Sequence, residues 1–102
     1  MNDGNRMQLT KLSFGKALEA LEEGMHVSRE GWNGEYIWLL PASPIKAEWC
    51  KDEHLKNIAL ANGGEIQALG SIRMLTANQK ILTGWSPSQE DMLSKDWFIT
   101  KI

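Results

Sequence analysis

Two Gly-Trp dipeptides set in polar surroundings are the residues with the most to offer a ligand. One is Gly31-Trp32-Asn33-Gly34. The other opens the run Gly84-Trp85-Ser86-Pro87-Ser88-Gln89-Glu90-Asp91. Each joins a rigid aromatic plate to amides, hydroxyls and backbone N–H groups. A base can stack on an indole and be read at its edge by Asn or Gln. Ser88 begins a helical pattern, and a helix start favours a phosphate. Arg29 and Arg73 stand on strand patterns, where a guanidinium can grip an anion through two parallel N–H bonds.

Other chemistry is harder to assemble. A metal site needs three or four ligands at fixed spacing. Cys50 and His54 lie four apart with Glu53 beside them, and His26 is distant in sequence. No metal and no cofactor are expected. There is no P-loop and no G-x-G-x-x-G. Gly31 to Gly34 matches a KH-type G-x-x-G, but that loop joins helices, and this one sits between strand patterns. Asp91 and Asp96 form a pair of acids that a helix cap and a turn explain. The expectation is a binding protein and not an enzyme.

The elements that must position these residues follow from hydrophobic spacing. Ser13 reads as an N-cap, and Phe14, Ala17, Leu18 and Leu21 make one helical face. Gly24 stops the helix, which is expected over 13–23. Residues 25–30 alternate, with Met25, Val27 and Arg29 on one side. Residues 35–40 are rich in strand formers. Asn33-Gly34 between them signals a hairpin with Trp32 and Asn33 at its tip, since both turn residues tolerate positive φ. Two readings cover the stretch from Ser43 to Asn62. In one, Ser43 caps a long helix with Pro44 at its first position. In the other, Asp52 caps a shorter helix carrying Leu55, Ile58 and Ala59. Residues 64–69 and 71–76 read as strands, 77–80 as a turn and 81–83 as the return strand. Ser88 and Asp91 have capping-box spacing and open a short helix within 89–95. Trp97 to Ile99 forms a last strand.

Composition sets the bounds. The chain has 102 residues, a net charge of −2, 42% hydrophobic residues and 24% charged ones, so a globular domain is expected and not a disordered one. No run of about 20 apolar residues exists to span a membrane. The first ten residues hold no apolar signal segment, and one cysteine permits no internal disulfide, which fits a reducing cytoplasm. One domain is expected over 1–102, with residues 1–10 a flexible lead-in. A net negative charge speaks against a DNA or RNA polymer as partner. Five tryptophans stand against one tyrosine and two phenylalanines. They fill a core or they form stacking walls.

The motifs, taken in order, resemble a phage-encoded family. They are Phe14-Gly15-Lys16-Ala17-Leu18-Glu19-Ala20-Leu21, Arg29-Glu30-Gly31-Trp32-Asn33-Gly34, Ile72-Arg73-Met74, Gly84-Trp85, Ser88-Gln89-Glu90-Asp91-Met92-Leu93 and Asp96-Trp97. The resemblance is to the second type of Thoeris anti-defence protein and covers about residues 13–100. It implies a homotetramer that sequesters, without cleaving, a cyclic ADP-ribose isomer made by a TIR-domain enzyme in the host cytoplasm. Some members also take up cyclic dinucleotides. It implies a site at Trp32, Asn33, Arg73, Trp85, Gln89 and Asp91. In that site Trp32 and Trp85 stack, Arg73 meets phosphate, and Asn33, Gln89 and Asp91 bond ribose or base edges. Pro87 and Gln79 depart from the family pattern, and residues 42–69 do not align with it.

The expected fold class is α+β, a mostly antiparallel sheet with two helices and a short C-terminal helical turn. Two rivals stand beside sequestration. One is an enzyme hydrolysing such a signal with Asp91 or His26 as base. The other is an inhibitor of a host protein whose exposed tryptophans are contact hot spots.

Overall fold

The computed structural model describes residues 8–102. Its elements are α1 (Phe14–Glu22), β1 (His26–Arg29), β2 (Tyr36–Leu40), β3 (Ser43–Lys46), α2 (Glu53–Ala61), β4 (Glu65–Ala68), β5 (Ser71–Leu75), β6 (Ile81–Thr83), α3 (Gln89–Leu93) and β7 (Trp97–Lys101), with a 3-10 turn at Ala47–Trp49. The architecture is α+β. The β1–β2, β1–β7, β3–β4 and β5–β6 pairs are antiparallel. Among the described residues no helix is long and apolar enough to cross a membrane. Contacts divide the chain into two units, one running to Leu39 and resuming at Ile72, the other spanning Leu40–Ser71.

In the first unit α1 begins where Ser13 accepts a hydrogen bond from the Lys16 N–H (3.2 Å). It ends before Gly24, whose φ of +90° suits a residue without a Cβ. Ala17, Ala20 and Leu21 are buried, and the glutamates of the opposite side are exposed. The helix packs on β1 and β7 of a five-stranded sheet ordered β6-β5-β2-β1-β7. The core between them holds Leu12, Leu21, Val27, Ile37, Met74 and Trp97. Val27 pairs with Ile37, which centres the β1–β2 hairpin near Trp32 and Asn33.

That hairpin turns differently from the expected Asn-Gly turn. Asn33 keeps a negative φ, and the left-handed positions are Gly31 (φ +92°) and Gly34 (φ +78°). A loop of several residues uses the two glycines and leaves Asn33 free of strain. Of the flexible lead-in expected over 1–10, residues 1–7 lie outside the described residues. Leu9 is tied down, its carbonyl accepting from the Ile99 N–H (2.8 Å). Leu12 and Trp97 exchange backbone bonds of 2.8 and 3.1 Å.

The second unit is a β3–β4 ladder with α2 packed against it. Asp52 caps α2, accepting from the His54 and Leu55 N–H groups (2.9 and 3.3 Å). The shorter of the two helical readings is therefore correct. The long helix from Ser43 is overturned, because residues 43–46 are a strand paired from Ser43↔Ala68 to Lys46↔Glu65. Pro44 fits there since a two-stranded ladder leaves each strand an outer edge, where a missing N–H costs no ladder bond.

Candidate ligand-binding site

The first Gly-Trp motif leaves β1 at Arg29, and the Trp32 N–H returns to the Arg29 carbonyl (3.1 Å). The second is fixed by a shared acceptor, the Ile72 carbonyl, which takes both the Gly84 and Trp85 N–H groups (3.0 and 2.9 Å). These anchors bring the two half-buried indoles to a centroid distance of 6.0 Å, edge to face. Both also meet Trp97, at 5.2 Å for Trp32 and 6.4 Å for Trp85. Trp97 is fully buried and packs against Phe14 at 5.4 Å. Its indole Nε1 donates to the Asp91 carbonyl (2.9 Å), which meets the need of a buried N–H for a partner.

Asp91 has a second set of tasks. One carboxylate oxygen accepts from the Ser88 N–H (2.8 Å) while the Ser88 hydroxyl accepts from the Asp91 N–H (3.0 Å), a complete capping box for α3. The other oxygen accepts from Arg29 Nη1 (2.8 Å). Arg29 also holds Asp96 with two bonds, Nε to Oδ1 at 2.9 Å and Nη2 to Oδ2 at 3.2 Å. Burial alone would push the Asp91 carboxyl up. The Ser88 N–H and the Arg29 guanidinium outweigh that and hold it below the usual aspartate range. The hydrogen bond to Asp96 is the main reason the Arg29 guanidinium clings to its proton more firmly than usual.

The six residues expected in the site therefore fall into three groups. Trp32, Trp85 and Asp91 meet in one corner. Each Asp91 carboxylate oxygen accepts one hydrogen bond within the protein, from Arg29 and from Ser88, and keeps a second lone pair for a further donor. Asn33 and Gln89 are exposed, Asn33 in the hairpin loop and Gln89 at the first position of α3. Arg73 stands apart. Its strand neighbours Ile72 and Met74 face the core that Trp85 and Trp97 also touch. Alternation along β5 sends Arg73 to the opposite face of the sheet.

Arg73 and Arg29 differ in their partners as well. The Arg73 Nε is buried and has no hydrogen-bond partner among the described residues. No ion pair is made by its guanidinium there either. A cavity of about 300 Å³ lies elsewhere, lined by Gln8, Leu12, Lys16, Ala20, Met25 and Ile99, and none of the expected site residues borders it. Sequence reasoning missed the part played by Trp97, the indole on which the other two rest. Its strand pattern gave no sign of that, because the Arg29↔Trp97 pairing joins residues far apart in the chain.

Fold and corner together define a small α+β protein whose five-stranded sheet carries a tryptophan corner on one face and, on the other, an arginine with no partner among the described residues. Residues 12–100 match the family described as the Thoeris anti-defense 2-like domain. Thoeris anti-defense 2 of Bacillus phage SP01 is 36% identical over 92 residues, a match covering 88% of this chain and 96% of that protein. The chain belongs to the Thoeris anti-defense 2-like family of anti-defence proteins, the one its Gly-Trp motifs resemble.

Proposed function

We propose that this protein binds and holds a cyclic nucleotide immune signal, a cyclic ADP-ribose isomer made by a TIR-domain enzyme, and does not degrade it. Family membership supports the anti-defence role. The observation that carries the chemical reading is Arg73, a half-buried residue whose buried Nε has no hydrogen-bond partner among the described residues. A buried donor left without an acceptor costs about 1–3 kcal/mol, and more when charged. A phosphate oxygen removes that cost and supplies a charge-assisted bond. Cyclic dinucleotides carry the same phosphate chemistry and belong to the same proposal.

The assembly proposed with this function is a homotetramer. Ile81, Leu82, Met92 and Leu93 expose apolar side chains on the first unit. Burial of these side chains between copies removes their apolar surface from water. Pockets for drug-sized ligands run to about 300–1,000 Å³, a large volume for a 102-residue chain to enclose alone.

The test is to purify the protein from cells with an active TIR-domain synthase, heat it, and identify what is released by mass spectrometry. Intact cyclic nucleotide, near one per site, supports sequestration. Linear or hydrolysed product in molar excess over protein overturns it in favour of hydrolysis. Release of no nucleotide overturns it in favour of a protein target. Arg73→Met should lower the bound load about ten- to hundredfold while the fold is kept, the range expected for losing a charged hydrogen bond.

A further inference from the structure

We infer that β4 is a docking edge for β4 of a second copy of this chain, the two strands pairing antiparallel about Ile66. This rests on the homotetramer proposed above and names one of its contacts. Among the described residues β3 and β4 form a ladder of two strands, so each has an outer edge. The two edges are not alike.

Which backbone groups reach those edges follows from Pro44, which pairs with Gln67 and has no N–H. In an antiparallel ladder, opposite residues alternate between pairs that exchange both backbone bonds and pairs that exchange none. A proline fits without loss only in the second kind. Pro44↔Gln67 and Lys46↔Glu65 are therefore the non-bonded pairs, and Ser43↔Ala68 and Ile45↔Ile66 the bonded ones. The bond from the Ala47 N–H to the Gly64 carbonyl (2.9 Å) continues the same alternation. The N–H and C=O groups of Glu65 and Gln67 thus point outward from β4. Among the described residues nothing outside the ladder accepts from either N–H. The Glu65 carbonyl accepts from Asn62 Nδ2 (2.8 Å) and keeps a second lone pair. Strand β3 carries Pro44 and Lys46 on its edge, two devices that keep strands from pairing. Strand β4 carries neither, and such an edge is a template for another strand.

The edge fits its own copy. With Ile66 on a two-fold axis, Glu65 of one chain faces Gln67 of the other, and the pair exchanges both backbone bonds. The axis repeats the exchange on its far side, as a self-complementary contact requires. Centring on Glu65 instead would set two carboxylates opposite each other. Ile66 meets Ile66 of the second copy as a non-bonded pair, where Cα atoms approach to about 4.5 Å. Alternation keeps Ile45 on the same face as its partner Ile66. The joined sheet then carries an unbroken row of four isoleucines, a side chain that packs well on a pleated surface. Both are only half-buried in one chain, so a second copy has apolar surface to cover.

Cross-linking of the full chain tests the register. In a Cys50→Ser background, Ile66→Cys places two thiols across the axis, within the Cα separation of about 4.4–6.8 Å that a disulfide spans. Mild oxidation should convert most of the chain to a covalent dimer on a non-reducing gel. Ile45→Cys in the same background lies three strand spacings, about 14 Å, from its counterpart and should not cross-link. A second variant tests the edge itself. Gln67→Pro copies the Pro44 device onto β4 and costs no ladder bond, since that N–H points outward. Its mass in light scattering should fall from four chains to two with its circular dichroism unchanged, while Gln67→Thr should remain at four. A four-chain Ile66→Cys protein that forms no covalent dimer, or a four-chain Gln67→Pro, overturns the β4 contact and leaves the tetramer and sequestration standing. A wild-type monomer overturns the tetramer and this contact together.

Discussion

Arg29 and Arg73 sit on strands of one sheet and have opposite fates. Arg29 is bound by two aspartates, and removing it leaves Asp91 and Asp96 charged and largely shielded from water. Arg29→Ala should therefore cost about 3–5 kcal/mol in urea unfolding, the range for a shielded ion pair broken on one side. Arg73→Ala removes a buried donor that has no partner among the described residues and should raise stability by about 1–3 kcal/mol. The pH dependence follows from the same groups. The lowered pKa of Asp91 means that its stabilisation is complete above the ordinary aspartate value of 3.8 and is lost as pH falls through the lower folded value. His26, lowered from 6.5 by burial and then by Lys101, resists protonation when folded. The unfolded chain takes up that proton first, so stability should begin to fall below pH 6.5. Denaturant midpoints measured from pH 8 to 2 should show both limbs. His26→Gln should remove the first, and Asp91→Asn should flatten the second while lowering stability throughout. At this scale the sequence exposed residue types but not partners. The pair of acids at 91 and 96 was visible, and so was the capping box. That both acids close on Arg29 depends on contacts spanning more than sixty residues, which no local pattern carries.

Elements with local signals were the legible ones. The Ser13 cap, the apolar face of α1, Gly24 and the Ser88 capping box all lie within a few residues of what they control. Strand β3 was not legible, because Ser43-Pro44 also reads as a helix start and only pairing with β4 decides the matter. The β5–β6 turn shows a local rule under strain. Gln79 adopts φ +63°, a conformation that costs a residue with a Cβ about 1–2 kcal/mol. The turn holds it there with backbone bonds from Thr76 to Lys80 (2.8 Å) and from Gln79 to Thr76 (2.9 Å). Gln79→Gly should raise stability by about 0.5–1 kcal/mol, less than the full strain because glycine also loosens the unfolded chain. Ser88→Ala should lower it by about 1 kcal/mol through the lost cap. Thermal melts of the two single variants and the double variant test this. The effects should add, since the turn and the cap share no partner.

At the scale of the whole molecule, the apolar side chains that find no cover in one chain make the argument. The sheet ends at β6, whose three residues are all exposed, Ile81 at 55% and Leu82 at 47%. Its other edge strand, β7, is shielded by backbone bonds to Leu9 and Leu12. An uncharged, apolar edge is a template for another chain unless something covers it. Leu93 on α3 is 74% exposed and adds to the uncovered surface of the same unit. Self-association removes this surface from water, and closed symmetric assembly limits it to a defined number of copies. The expected species in light scattering at micromolar concentration has four times the 11.5 kDa of one chain. Leu82→Lys places a charge on the open edge and should shift the distribution towards smaller species without lowering the helix content of the monomer. Nucleotide load should fall with it if each site draws walls from neighbouring chains, even though Arg73, Trp32 and Trp85 are untouched. A wild-type monomer carrying a full load would show that one chain builds the site alone, and the tetramer would then have no part in binding.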